Sequence, residues 1–138
     1  YRKADGEAVF GEIGARPPGA RVVELMNNAT DGDLYVGWAE AVVHGRLSQP
    51  LERRYNVGSI FKRAQGVGRI TRHEGLERLL AEYGDAVVAQ ELLPPGAPRR
   101  DWRASVIGDG LIMVRDPELQ RVIEMTERFA GEFTMHAG

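Results

Sequence analysis

Two side chains four positions apart carry most of the chemistry in this chain. In the run Val9-Phe10-Gly11-Glu12-Ile13-Gly14-Ala15-Arg16-Pro17-Pro18-Gly19, an apolar stretch holds one acid. It then breaks into a turn that displays an arginine. A carboxylate in a strand core is costly without a cation beside it. Magnesium is one such cation: it takes oxygen ligands and combines one or two protein carboxylates with phosphate oxygens. The Arg16 guanidinium is a rigid fork of donors suited to phosphate or carboxylate. It can neutralise charge on a transferring phosphoryl group without giving up a proton. Pro17 and Pro18 stiffen the loop, so Arg16 is aimed at low entropic cost. The structural alternative is an ion pair between Glu12 and Arg16 or Arg21. Arg21 is a second candidate anion binder; its other reading is a solvent-exposed place on a first helical turn.

The elements that must position these residues follow from periodicity and turn chemistry. Residues 8–13 read as a strand, with Asp5-Gly6 as the hairpin turn before it. Residues 16–20 are a loop, because proline and glycine resist a regular element there. Residues 22–29 follow a helical period with Val22, Leu25, Met26 and Ala29 on one face. Asp31 or Asp33 caps a second helix over residues 34–44, and Gly45 stops it. Leu34, Trp38, Ala41 and Val42 form the stripe expected to be buried. Residues 46–54 are polar, contain Pro50 and mark the candidate boundary between parts 1–50 and 51–138.

Beyond that boundary, residues 55–61 and 69–72 read as strands around the turn Gln65-Gly66-Val67-Gly68. Residues 75–83 form a short helix with Leu76, Leu79 and Leu80 inward, ended by Gly84. Residues 86–92 alternate like a strand, and 93–100 form a proline-rich loop. Residues 104–107 and 111–114 read as strands around Gly108-Asp109-Gly110, as a hairpin or a sharp bend. Asp116 and Pro117 open a terminal helix. Its apolar side runs from Leu119 through Val122, Ile123, Met125, Thr126 and Phe129 to Phe133. The expected fold class is α+β.

Other polar residues support plainer readings. Asn27 and Asn28 suit either a substrate cleft or side-chain capping of a helix end. His44, His73 and His136 lie far apart, near ends of elements, as helix-end or surface residues do. Arg53, Arg54, Lys62, Arg63, Arg69 and Arg72 are followed at once by Glu74, Glu77, Glu82 and Asp85. That mixture reads as a solvated sheet edge rather than a nucleic-acid surface. Trp38 and Trp102 read as packing anchors.

Composition bounds the answer further. A chain of 138 residues with 43% hydrophobic and 28% charged residues is ordinary for a globular protein and can bury a core. A net charge of -2 leaves no electrostatic footprint for nucleic acid or an anionic membrane. With no cysteine, disulfides, thiolate catalysis and cysteine metal sites are excluded.

The run from Glu12 to Arg16 resembles the Glu-x-Asn-x-Arg signature that closes the catalytic half of ATP-grasp enzymes. Gly14 stands where the asparagine is usual, and a glycine there lets backbone or substrate approach closely. The phrase from Glu24 to Tyr35, with Ala29-Thr30-Asp31-Gly32-Asp33-Leu34, resembles the one that follows the arginine in that superfamily. Residues 55–133 resemble the small C-terminal subdomain of biotin-carboxylase-like and L-amino-acid-ligase-like members. The resemblance implies a cytoplasmic ATP-dependent ligase acting through an acyl phosphate, with carboxylate–amine ligation preferred over carboxylation. It implies Glu12 as the Mg2+ ligand, Glu12 and Arg16 at ATP, Arg16 as the catalytic residue, and Gly14, Arg16 and Gly19 at a small carboxylate substrate. It also implies that residues 1–50 end a catalytic domain whose glycine-rich loop and lysine lie upstream. The chain is then expected to be a C-terminal fragment that is inactive by itself and forms a homo-oligomer over its uncovered apolar faces. No nucleic-acid or membrane partner is expected. The alternative from another class is a noncatalytic ligand-binding or dimerisation module.

Overall fold

The computed structural model describes residues 3–9, 18–101 and 103–138. Two helices come first, α1 (Val22–Thr30) and α2 (Leu34–His44). They are followed by β1 (Asn56–Lys62), β2 (Ile70–Glu74), α3 (Leu76–Tyr83), β3 (Val87–Leu92), β4 (Gly110–Asp116), α4 (Leu119–Glu132) and β5 (Thr134–Ala137). The mixture is the expected α+β class. Strands β1, β4 and β3 form an antiparallel sheet with β4 in the centre, and β2 pairs with β5 in a second antiparallel ladder.

The core lies between these sheets and helices α3 and α4. Leu79, Leu111, Ile112, Met113, Val114, Met125, Phe129 and Phe133 are all but sealed from solvent. The central strand has both faces covered, so it reads as a continuous apolar run rather than an alternation. Helix α4 turns Val122, Met125 and Phe129 inward at helical spacing. Its last turn is tied down by Lys62, whose Nζ donates to the Ala130 carbonyl at 2.6 Å and lies 5.4 Å from the centre of the Phe133 ring. Burial holds the Lys62 ammonium below its ordinary pKa.

A buried carboxylate organises the loops at one end of the sheet. Asp109 is fully buried. Its Oδ1 accepts from the Arg100 N–H at 2.8 Å, and its Oδ2 accepts from the Ala64 N–H at 2.9 Å and Arg99 Nε at 3.2 Å. Its own N–H donates to the Lys62 carbonyl at 2.8 Å, and its carbonyl accepts from Leu93 at 3.1 Å. Burial alone would raise the acid's pKa. The two backbone donors and the Arg99 guanidinium outweigh it, and the net shift is downward.

Three expectations are corrected, and one pair of alternatives is resolved. Residues 104–107 form no strand. Instead the Asp101 carbonyl accepts from Ala104 and Ser105 at 3.0 Å, and its side chain accepts from Arg103 at 2.9 Å. These local bonds close a turn, and both edges of β4 are already filled by β1 and β3. Phe133 leaves the terminal helix and opens the unforeseen β5, because burial passes to an i, i+2 pattern at Phe133 and Met135. The expected stripe of α2 is not buried: Trp38, Ala41 and Val42 are exposed and Leu34 is half-buried. Trp38 is therefore no packing anchor within the described residues, and Trp102 lies outside them. Among caps, Asp33 accepts from Tyr35 and Val36 at the start of α2, whereas Asp31 ends α1.

Replacing Asp109 by asparagine should lower stability by about 2–4 kcal/mol, because an amide NH2 would face N–H donors in a buried site. Urea denaturation checks this. The folded-state pKa of Asp109 lies below its ordinary 3.8, so its contribution is complete above that pH and is lost as pH falls below it. The substituted protein should show a shallower loss of stability on acidification.

Candidate functional site

The residues expected to carry chemistry precede α1 in the sequence. Glu12, Gly14 and Arg16 lie outside the described residues. Gly19 is described: it is exposed, and its carbonyl accepts from the Val22 N–H at 3.1 Å. Immediately after it, Ala20 and Arg21 both adopt left-handed backbone, with φ of 52° and 63°. Two consecutive non-glycine residues in that region are strained. Such strain persists where surrounding contacts over-determine it, and it clusters at functional loops.

The contacts that hold Arg21 are clear. Its guanidinium donates to Glu24 Oε1 at 3.0 Å and to Glu91 Oε2 on β3 at 2.6 Å. The bond to Glu24, followed by the charge of Glu91, raises the Arg21 pKa above its ordinary value. Burial pushes Glu24 up, yet the bond from Arg21 and backbone donors bring it down overall. Tyr35 of α2 also reaches Glu24. Desolvation and the charge of Glu24 raise the phenol's pKa. The exit of the 10–17 segment is thereby joined through Arg21 to the first turns of both helices and to the sheet. Arg21 is neither an open anion site nor a free surface side chain; its fork is occupied by two carboxylates.

Sequence reasoning missed Glu91 and Tyr35. The signal for Glu91 was an acid sharing alternation with Val87 and Ala89 on a strand, where an apolar residue is expected. Asn27 follows the capping reading, and Asn28 bonds back into its own helix. Asn27 Oδ1 accepts from the Leu34 N–H at 2.9 Å, and Asn28 Nδ2 donates to the Glu24 carbonyl at 2.8 Å. His136 meets Glu74 at 2.8 Å, and His73 meets the Leu93 carbonyl at 3.0 Å. Arg115 joins Asp31 at 2.6 Å and lies over the Tyr55 ring. Beside the site, Pro18, Val23, Met26, Leu34, Trp38 and Leu47 are among the residues lining an apolar groove of about 530 Å³. Among the described residues no three His, Cys, Asp or Glu side chains gather as a metal site. No helix there is long and apolar enough to cross a membrane.

No protein-family model matches the sequence, and no curated protein matches it. Among solved structures, the fold is similar to that of N5-carboxyaminoimidazole ribonucleotide synthetase from Thermotoga maritima, with a TM-score of 0.64 and 18% identity. The likeness covers 98% of this chain, which spans 35% of that one. It is a likeness of fold, and it extends across both the helical part and the sheets.

Ala20→Gly should relieve left-handed strain and raise the melting temperature, by up to about 1 kcal/mol at the transition. The same substitution should leave the Arg21 contacts in place. A thermal melt of the substituted chain beside the parent checks this.

Proposed function

We propose that this chain is the closing part of an ATP-grasp ligase, with residues 1–50 ending its catalytic domain and 51–138 forming a small C-terminal subdomain. The observation that carries this reading is a conjunction. The Glu12-x-Gly14-x-Arg16 run stands directly ahead of α1, in a chain whose fold is similar throughout to part of a synthetase. That synthetase is an ATP-grasp enzyme. The reaction is ATP-dependent joining of a small carboxylate to an amine. The carboxylate takes the terminal phosphoryl group of ATP to give an acyl phosphate and ADP. The amine nitrogen then displaces phosphate.

The donor set fits Mg2+ in part. Glu24 and Glu91 are engaged by Arg21, and Asp31 by Arg115 and Arg54. Glu12 is the carboxylate assigned to the ion in this reading, and Gly14 brings no side-chain ligand. One carboxylate is a sufficient share for an ion that keeps phosphate and water oxygens. When bound there, Mg2+ shields the phosphate charge. Arg16 stabilises the charge of the transferring phosphoryl group. Gly14 and Gly19, with no side chains, are assigned to the carboxylate substrate, and the space beside Gly19 is open.

The test is ADP release by the complete ligase with panels of carboxylates and amines. Glu12→Gln and Arg16→Lys should each lower kcat by about a hundredfold or more while the protein stays folded. Activity that survives both substitutions would overturn the assignment.

One observation favours the noncatalytic module. Among the described residues, every buried hydrophobic residue of the core falls between Ile60 and Met135, so residues 51–138 hold a core of their own. Calorimetry on the 138-residue chain separates the readings of its first part. With no glycine-rich loop or adenine lysine of its own, the chain should bind Mg2+-ATP very weakly. A low-micromolar dissociation constant, worth about 8 kcal/mol, would mean that the chain holds a complete nucleotide site.

A further inference from the structure

The loops around Asp109 gather positive charge that the sequence disperses. Residues 63–69 and 93–109 hold five arginines, two aspartates and no other charged side chain. Asp109 is engaged inside the fold by Ala64, Arg99 and Arg100. Asp101 accepts from the Arg103 N–H in its own turn. The acids that follow the basic run in sequence meet other partners: Glu74 joins Arg72 and His136, and Glu82 joins Arg128. Among the described residues, Arg63, Arg69 and Arg100 pair with no carboxylate. They donate instead to the carbonyls of Ser105, Gly96 and Gly108. A carbonyl orients a guanidinium without neutralising it.

Two of these arginines are set side by side. The Ala64 and Arg100 N–H groups bind the two oxygens of one carboxylate, that of Asp109, at 2.9 and 2.8 Å. The side chains of Arg63 and Arg100 leave the backbone at that point and come to rest on one turn, residues 105–108. Arg63 Nη2 donates to the Ser105 carbonyl at 2.9 Å, and Arg100 Nη1 to the Gly108 carbonyl at 3.0 Å. The Ser105 hydroxyl also donates to the Gly108 carbonyl, at 3.3 Å, so the two resting points are neighbours. The turn takes one N–H of each fork, and each fork has several more. Arg63 is exposed and Arg100 half-buried. Like charges held together without a counter-charge repel one another, and such a cluster draws anions to it. A phosphate monoester matches the pair. It carries about two negative charges at neutral pH, and its oxygens suit two guanidinium forks.

We propose that Arg63 and Arg100 form a subsite for a phosphate monoester, and that one of the two molecules joined by the ligase bears that group. The second half rests on the ligase reading of the chain, and position supports it. Glu91, which holds Arg21 at 2.6 Å, stands opposite Leu111, two residues from Asp109. The arginine pair thus lies at the end of the sheet to which the segment after Gly19 is tied.

The subsite is tested by titrating the 138-residue chain with inorganic phosphate, phosphoserine and serine at constant ionic strength, following the arginine N–H resonances. Both phosphates should bind with dissociation constants of about 1–10 millimolar, and serine should not bind. Arg63→Gln and Arg100→Gln should each weaken binding about tenfold or more. Arg53→Gln, which removes the same charge from another exposed position, should leave it unchanged. If Arg100→Gln fails to fold, Arg63→Gln decides alone. No binding up to about 50 millimolar phosphate overturns the proposal, and so does equal weakening by Arg53→Gln. In the complete ligase, carboxylates and amines offered with and without a phosphate should differ about a hundredfold or more in kcat/KM, in favour of the phosphorylated form. Arg63→Gln should remove that preference and leave turnover of the unphosphorylated forms unchanged. Equal turnover of both forms overturns the substrate assignment with the ligase reading intact. Phosphate binding by the pair in an enzyme that releases no ADP supports the subsite and overturns the ligase reading.

Discussion

The strand-rich part of the fold depends on one buried carboxylate, Asp109. Asp109 joins the end of β1, the loop at residues 93–100 and the entry to β4 through five hydrogen bonds. A buried charge is tolerated only when every oxygen has a donor, and here the donors are mostly backbone N–H groups of loops with no ladder partner. The acid therefore takes the place of the hydrogen bonds those loops would otherwise lack. The end of β1 in turn leaves Gly108, at φ +65°, no room for a side chain, and side chains crowd Gly110. A Cβ at Gly108 would meet the Lys62 carbonyl oxygen at 2.6 Å, and one at Gly110 would meet Leu92 at 2.5 Å.

From that fixed end the layers follow. β4 runs between β1 and β3, α4 lies across β1 and β4, and β5 returns to close over β2. Gly75 lets α3 begin against the last turn of α4: its φ is +81°, and a Cβ there would stand 2.1 Å from the Glu132 carbonyl oxygen. Around that junction Arg128 joins Glu82, Glu132 and the Tyr83 hydroxyl, and Arg78 joins Glu132 at 2.6 Å. Hydrogen bonds from Arg128 and then Arg78 bring Glu132 down to about 2. These groups are partly exposed, so the network fixes geometry more than it adds stability.

The helical part is attached to this frame rather than sharing its core. The Ala29 carbonyl at the end of α1 accepts from the Arg54 and Tyr55 N–H groups at 2.8 and 3.1 Å. Arg115 holds Asp31, and Glu91 holds Arg21. Polar clamps at both ends of α1 thus set it over the sheet. Its neighbour α2 keeps an apolar face outward. At the joint, Arg21 links strained backbone to β3.

The sequence by itself determined the local elements with strong chemistry. Proline and glycine around residue 18, Asp33 before an apolar run and Gly45 after it bounded both helices closely, because caps and breakers act within a few residues. The α+β class was legible for the same reason, as was the acid–arginine run as a motif. Tertiary structure alone decided what those elements met. Periodicity assigned α2 a buried stripe, but burial depends on a partner face, and none of the described residues supplies one. Residues 104–107 had the composition of a strand, yet both edges of β4 were taken and Asp101 offered a turn. Asp109 read as a bend residue; its weight comes from donors 45, 10 and 9 residues away in the chain. Arg21 found Glu91 across 70 residues. Contacts of that separation leave no local pattern, since neither partner's neighbours in sequence record which distant group the fold brings to it.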